Sequence, residues 1–205
     1  MIPQKFHADG KYGDIIAMYV KEDGARGGAQ YLASFWTIYN ELQKECPGAL
    51  NILSIGFQWP GEEGLRPMIF FEEGKLIVQF VWNPFNMDGF KTLSEEQRAA
   101  MEMVNSTAHR VSVKVDRRPG DILFINNLAL LHARDTFENL PNQQRHIMRV
   151  GLRDSEKRWS SPKGYSFLFD DHFKRSMEEQ KVFGKDFSAT YWTSVVSTAN
   201  RDSHG

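Results

Sequence analysis

The sequence predicts a mainly β chain, a β-sandwich or jelly roll carrying peripheral helices, and three observations predict it. Short runs dense in Val, Ile and Phe recur along the chain, as at Met68 to Glu72, Leu76 to Trp82 and Ile122 to Asn126. Turn-forming clusters separate them, Glu73-Gly74-Lys75 between the first two and Pro119-Gly120-Asp121 before the third. The few helical patterns interrupt the strands without alternating with them, as a βαβ fold would require.

Taken in order, Ile15 to Val20 is an apolar, β-branched run bounded by Gly13 and by Lys21-Glu22-Asp23-Gly24, so it predicts a strand. Gly24, Gly27 and Gly28 mark a turn. Leu32, Phe35, Trp36, Tyr39 and Leu42 recur at three- and four-residue steps, which predicts an amphipathic helix ending before Pro47. Ser94 followed by Gln97 is a capping box, opening a helix through about Val104. Val111, Val113 and Val115 alternate with Ser112 and Lys114, as on a half-buried strand. A last helix is expected around Asp171 to Gln180, and after about Thr198 the residues turn small and polar. One domain over residues 1–198 with a flexible tail at 199–205 is therefore expected.

At 205 residues the chain can bury a continuous core without disulfide or metal staples. Lys and Arg number 25 against 26 acidic residues, so no global field favours nucleic acid or an anionic membrane, and Arg117-Arg118 is only a short basic cluster. The single cysteine, Cys46, cannot form an intramolecular disulfide, which suits a reducing compartment. No apolar run approaches the roughly 18 residues of a membrane span, and Met1 to Asp9 holds no apolar stretch that could serve as a signal peptide. A soluble intracellular protein, most simply cytoplasmic, without nucleic-acid or membrane partners, is the expectation.

Three segments carry candidate chemistry. In His7-Ala8-Asp9 an imidazole and a carboxylate two residues apart share a face of an extended backbone, so both can bind one cation, although such a triplet also arises by chance in terminal segments. His132 follows the apolar run from Ile122 to Leu131, which carries it toward the interior or the mouth of a sheet. A buried histidine is more often a hydrogen-bonded core residue than a ligand. Two histidines and one carboxylate, however, complete the facial triad of non-haem Fe(II) oxygenases. In the third segment, Arg145, Arg149 and Arg153 share one face of a strand while His146, Met148, Val150 and Leu152 share the other. Periodicity favours an exposed basic edge strand there; the functional alternative is an arginine pointing inward to grip a carboxylate.

These segments, in this order, resemble the 2-oxoglutarate-dependent oxygenases of the taurine dioxygenase and clavaminate synthase-like group. The resemblance covers roughly residues 5 to 155. It rests on H-A-D at 7–9, G-G-A-Q-Y-L-A-S at 27–34, P-G-D-I-L-F-I-N-N at 119–127, L-H-A-R-D-T-F-E at 131–138 and R-H-I-M-R at 145–149. It implies a double-stranded β-helix (a cupin-like jelly roll) with Fe(II) on His7, Asp9 and His132. It further implies that Arg145 pairs with the distal carboxylate of 2-oxoglutarate, and that Arg149 serves the iron-binding end of the co-substrate or the substrate. The spacing after His132 is loose enough for these two roles to be exchanged. Gln30 stands where the group often has Thr or Ser and can still donate to a carboxylate.

The activity implied is oxidation of an unactivated C–H bond by O₂, with release of succinate and CO₂. Hydroxylation, desaturation and ring formation all fit, and the carboxylate of Asp9 argues against halogenation. A carboxylate-bearing substrate such as an amino acid is attractive if Arg149 or Arg153 is left over. Phe57, Trp59, Trp82, Phe85, Phe90 and Trp192 fall near segments expected at the mouth, with core packing as their plainer role. Members of the group carry a substantial segment before the H-x-D motif, including the first core strand, whereas six residues precede His7 here. The expectation is a fold lacking its usual N-terminal segment, with an exposed sheet edge covered by a homodimer or another element. The alternative functions are a catalytically inactive, oxygenase-like binding protein, a partial chain completed by a partner subunit, or a cupin-like metal enzyme without 2-oxoglutarate, which would leave the ordered arginines unexplained.

Overall fold

The computed structural model describes residues 3–10, 12–24, 26–59, 64–82 and 93–174. Its elements run β1 (Gln4–His7), β2 (Ile15–Asp23), β3 (Arg26–Gly27), β4 (Gln30–Ser34), α1 (Phe35–Glu45), α2 (Pro47–Ser54), β5 (Phe57–Gln58), β6 (Leu65–Arg66), β7 (Ile69–Glu72), β8 (Lys75–Val78), α3 (Glu95–Val111), β9 (Val113–Val115), β10 (Ile122–Asn126), β11 (Leu130–Arg134), β12 (Phe137–Glu138), β13 (Arg145–Leu152) and α4 (Ser166–Phe169), followed by a 3₁₀ turn at Asp171–Phe173. The fold is mainly β with peripheral helices, as the sequence predicts. No helix among the described residues is long and apolar enough to cross a membrane.

Two antiparallel sheets hold the centre. One has the order β1-β11-β4-β9, the other β10-β2-β13. Register sets which side chains meet between them. His7 pairs with His132, His132 with Leu32, and Gln30 with both Arg134 and Val115. Because side chains alternate, His7, His132, Arg134, Gln30, Leu32 and Leu130 share the inner face of the four-stranded sheet. From the other sheet Ile16, Met18, Leu123, Ile125 and Ile147 pack against Leu32 and Leu130. Arg145 and Arg149, spaced by two and by four from Ile147 and from each other, lie on that same inner face of β13.

The opposite face of the four-stranded sheet supplies the larger core. Phe6, Ala8, Ala33, Leu131 and Ala133 pack against Phe35, Ile38, Leu42, Leu50, Leu53, Met101 and Val104 of the helices. Each large side chain buried there contributes about 1.5–3 kcal/mol relative to exposure. Phe57, Trp59 and Trp82 belong to this core, so packing explains them; Phe85, Phe90 and Trp192 lie outside the described residues.

Several boundaries differ from the sequence-based expectation, each for a local reason. Leu32 belongs to β4, not to the helix. Ser34 caps α1 by accepting from the Thr37 N–H, so the apolar spacing from Leu32 to Phe35 crosses an element boundary. The capping box at Ser94 and Gln97 is formed, but α3 continues to Val111, with Glu95 and Glu96 in its first turn and His109 and Arg110 in its last, complementing the helix dipole. Val111 is therefore helical and only Val113 to Val115 form a strand. β2 extends to Asp23, while β8 ends at Val78. The expected helix around Asp171 to Gln180 is a 3₁₀ turn at its start, and its remainder lies outside the described residues, as does the tail at 199–205.

Two glycine positions matter. Glu73 and Gly74 both adopt left-handed backbone (φ 46° and 74°), the two-residue hairpin turn that matches strand twist between β7 and β8. At Gly151 an added Cβ would lie 1.7 Å from the Tyr12 carbonyl oxygen, so only glycine lets the segment after Asp9 cross β13.

The outer face of the three-stranded sheet is unusual. Ile122, Phe124, Tyr19, Met148, Val150 and Leu152 are exposed on it, in rows that cross all three strands. β13 is an edge strand among the described residues, as a basic edge strand would be, but its faces are reversed. The arginines turn inward and the apolar residues outward.

Candidate metal centre and its arginines

β1 ends at His7, and the chain continues through Ala8, whose N–H donates to the Phe80 carbonyl, to Asp9. β11 brings His132 beside them through the His7–His132 register. The three side chains are buried, and one ligand atom from each lies within 4.8 Å of the others. His7 Nε2 is 3.9 Å from Asp9 Oδ1, and His132 Nε2 is 3.7 Å from Asp9 Oδ2. The imidazoles stand 4.3 Å apart between centroids.

Protonation follows from the surroundings. Burial lowers the pKa of His7, partly opposed by Asp9. Burial lowers that of His132 further, aided by His7 and Arg149. Both rings are therefore neutral near pH 7. His7 Nδ1 lies 2.7 Å from the Lys5 carbonyl oxygen, which can only accept, so Nδ1 carries the proton. That leaves the lone pair on Nε2, a buried atom without a hydrogen-bond partner. An aimed, unpartnered imidazole nitrogen beside a second imidazole and a carboxylate fits a divalent transition metal, and the tautomer-fixing carbonyl is the usual outer support of such a ligand.

Asp9 is held from both ends. Its N–H donates to Asn127 Oδ1 (2.8 Å), and Asn127 Nδ2 donates to the Asp9 carbonyl (2.7 Å) and to the Gly13 carbonyl (2.9 Å). Arg149 donates from Nη1 to both carboxylate oxygens, at 2.8 and 2.9 Å. The Tyr12 ring lies 4.5 Å from the Arg149 guanidinium, and its hydroxyl donates to the Arg149 carbonyl. Asn127 is a positioning residue that sequence reasoning passed over. Its only signal was a polar residue closing an apolar strand within the P-G-D-I-L-F-I-N-N run.

Arg145 is differently placed. Its Nε is buried without a hydrogen-bond partner, and its guanidinium lies 5.2 Å from the Phe137 ring. Burial first, then the nearby Arg117 and Arg134, bring its pKa down to about 10, outweighing Asp23. A buried cation crowded by two others is an incomplete arrangement that an anion would complete. Gln30 is buried nearby, with its amide oxygen accepting from Arg117 (2.8 Å) and its nitrogen 3.1 Å from Met18 Sδ. Arg153, by contrast, is fully engaged. It grips both Asp14 oxygens, Asp170 and the Phe169 carbonyl. In this arrangement Arg149 is held on Asp9, while Arg153 is held on Asp14 and Asp170.

Residues 2–150 match the family described as "Taurine catabolism dioxygenase TauD, TfdA family", and the chain belongs to it. It is 32% identical over 190 residues to the taurine hydroxylase-like protein SAT17 of Stachybotrys chartarum, covering 86% of this chain and 49% of that one. Among solved structures, asparagine oxygenase superposes with a TM-score of 0.57 at 11% identity, covering 72% of this chain and 47% of the other. PvcB of Pseudomonas aeruginosa, at 16% identity, gives 0.54 and covers 76% and 59%. These likenesses establish a shared fold. The chain spans about half the length of the curated relative it matches.

Proposed function

We propose that the chain carries the iron- and 2-oxoglutarate-binding centre of an oxygenase that oxidises an unactivated C–H bond of a small organic substrate, by hydroxylation, desaturation or ring formation. The observation that carries this reading is the convergence, inside one sandwich, of two neutral imidazoles and a carboxylate with a separate arginine, Arg145, whose buried Nε has no hydrogen-bond partner among the described residues. The family supports it. So do the chemistries of proteins sharing the fold: an asparagine oxygenase structure holds Fe(II), a hydroxyasparagine and succinate, and an OrfP structure holds Fe and α-ketoglutaric acid.

His7, Asp9 and His132 would hold Fe(II), which when bound supplies O₂ activation coupled to decarboxylation of 2-oxoglutarate. For hydroxylation the balance is substrate C–H, O₂ and 2-oxoglutarate in, and C–OH, succinate and CO₂ out. The protein's own work is to bind, orient and exclude water. Lys5 fixes the His7 tautomer, Arg149 and Asn127 fix Asp9, and Arg145 with Gln30 receives the distal carboxylate of the keto acid. Leu32, Leu130 and Ile147 pack with Ile16, Met18 and Ile125 between the same two sheets.

Supplying Fe(II), 2-oxoglutarate, O₂ and a panel of small organic substrates, with succinate as readout, tests the reading. Succinate formation stimulated by one substrate and abolished in His132→Ala is expected; none with any substrate contradicts it. A second reading, a partial chain completed by a partner subunit, is supported by the exposed apolar outer face of the three-stranded sheet, which bears Phe124, Met148 and Val150 and offers such a partner a surface. It predicts activity only in the assembled complex.

A further inference from the structure

Arg117 was legible in the sequence only as half of a basic pair, yet its side chain is 7% exposed and every contact it makes is directed. Nε and Nη2 grip the two oxygens of Asp23, at 2.9 and 3.0 Å. Nη2 also donates to the Gly28 carbonyl (2.8 Å), and Nη1 donates to Gln30 Oε1 (2.8 Å). We propose that Arg117 is a positioning residue that fixes the Gln30 amide with its N–H₂ toward the interior, so that Gln30 can only donate there, and that this sets a preference for keto acids carrying a second carboxylate. The inference rests on the co-substrate reading given above.

The chemistry is one-sided. A guanidinium has donors and no acceptor, so it can receive only the oxygen end of an amide; the flipped amide would set N–H against N–H. The Gln30 nitrogen must therefore face away from Arg117. There it meets the Met18 sulfur at 3.1 Å, a weak acceptor that leaves its donor capacity largely unmet. The same stretch of wall carries Arg145, since a Cβ on Gly28 would lie 3.4 Å from Arg145 Cδ, and Arg117 already holds the Gly28 carbonyl. An anion reaching Arg145 thus comes beside a glutamine locked as a donor. Arg117 itself, already bound to Asp23, Gly28 and Gln30, acts through Gln30. The plainer account is that Arg117 merely ties the loop after β9 to the end of β2.

The two accounts differ in a binding experiment that needs no turnover. The Ni(II)-loaded protein is titrated calorimetrically and anaerobically with 2-oxoglutarate and with 2-oxovalerate, which has the same chelating end and no second carboxylate. The native chain should prefer 2-oxoglutarate, and Arg145→Met should abolish that preference. Arg117→Met and Gln30→Ala should each weaken 2-oxoglutarate by about tenfold, leave 2-oxovalerate unchanged, and in combination do no more than either alone. Gln30→Glu keeps the tie to Arg117 and so guards against misfolding of Arg117→Met; it should weaken 2-oxoglutarate at least as strongly, because it presents an acceptor to the incoming carboxylate. Additive losses, equal weakening of both keto acids, or an undiminished preference in Gln30→Glu would overturn the proposal. If the native chain shows no preference and Arg145→Met changes nothing, the co-substrate reading itself fails and the proposal falls with it.

Discussion

Arg149 reaches across the sandwich to Asp9 and donates from a single nitrogen, Nη1, to both oxygens of the buried carboxylate, at 2.8 and 2.9 Å. The arginine is the charge that keeps Asp9 inside the metal-free protein. Breaking such a pair from one side strands the other charge, at a cost of about 3 kcal/mol. Arg149→Met should therefore lower the melting temperature of the metal-free protein, and a saturating divalent metal should restore most of the loss by replacing the missing charge. An equal loss with and without metal would show that Arg149 acts by packing alone.

Asn127, at 1% exposure, holds the Asp9 backbone through two hydrogen bonds and the Gly13 carbonyl through a third. Asn127→Ala leaves a buried N–H and two carbonyls unpaired, so denaturant unfolding should show a loss of about 3 kcal/mol. Metal affinity should fall by roughly 10–100-fold, as for other outer supports of metal ligands. Asn127→Asp keeps the bond from the Asp9 N–H but sets a carboxylate oxygen against the Asp9 and Gly13 carbonyls, and should be at least as destabilising as alanine.

The two imidazoles predict the pH dependence of the metal-free protein. Burial lowers both folded pKa values, that of His132 more than that of His7, so in acid the unfolded chain takes up these protons more readily. Their contribution is complete above the unfolded value of about 6.5 and is lost as pH falls below it, by up to about 1.4 kcal/mol per pH unit for each proton. His132→Gln should flatten the decline of stability below pH 6.5 more than His7→Gln does. Unfolding curves at pH 5 and pH 7.5 measure the difference.

Arg145 predicts a trade between stability and binding. Its guanidinium, with a buried Nε that has no hydrogen-bond partner among the described residues and crowded by Arg117 and Arg134, opposes folding. Arg145→Met should raise the melting temperature of the ligand-free protein and weaken 2-oxoglutarate by about a hundredfold, with metal affinity unchanged. Destabilisation together with intact co-substrate binding would contradict the role given to Arg145.

What was legible in the sequence follows the range of each interaction. His7 and Asp9 announced themselves locally, being two residues apart, and His132 lay at the end of an apolar run that had to enter a sheet. The hairpin at Glu73-Gly74 and the cap at Ser94 were local as well. The direction of the arginine face of β13 was not, because it depends on how Ile147 registers on Val20 and packs against the opposite sheet. Periodicity separates the two faces without saying which is inside, and the exposed Met148, Val150 and Leu152 invert the ordinary expectation. Arg117 was illegible for a similar reason. Its partners Asp23 and Gln30 lie 94 and 87 residues away in sequence. Leu32 reads as helical in the sequence because a strand passes into a helix at Ser34 without a break in apolar spacing.

The most direct test of the metal and co-substrate centre is an anaerobic titration of the purified protein with Fe(II) and 2-oxoglutarate, followed by visible absorption. A weak metal-to-ligand charge-transfer band that is absent in His132→Ala is the predicted result, since it requires the keto acid to chelate iron at this site. A folded protein with bound Fe(II) that develops no band at saturating 2-oxoglutarate, or a band undiminished in His132→Ala, would contradict the account.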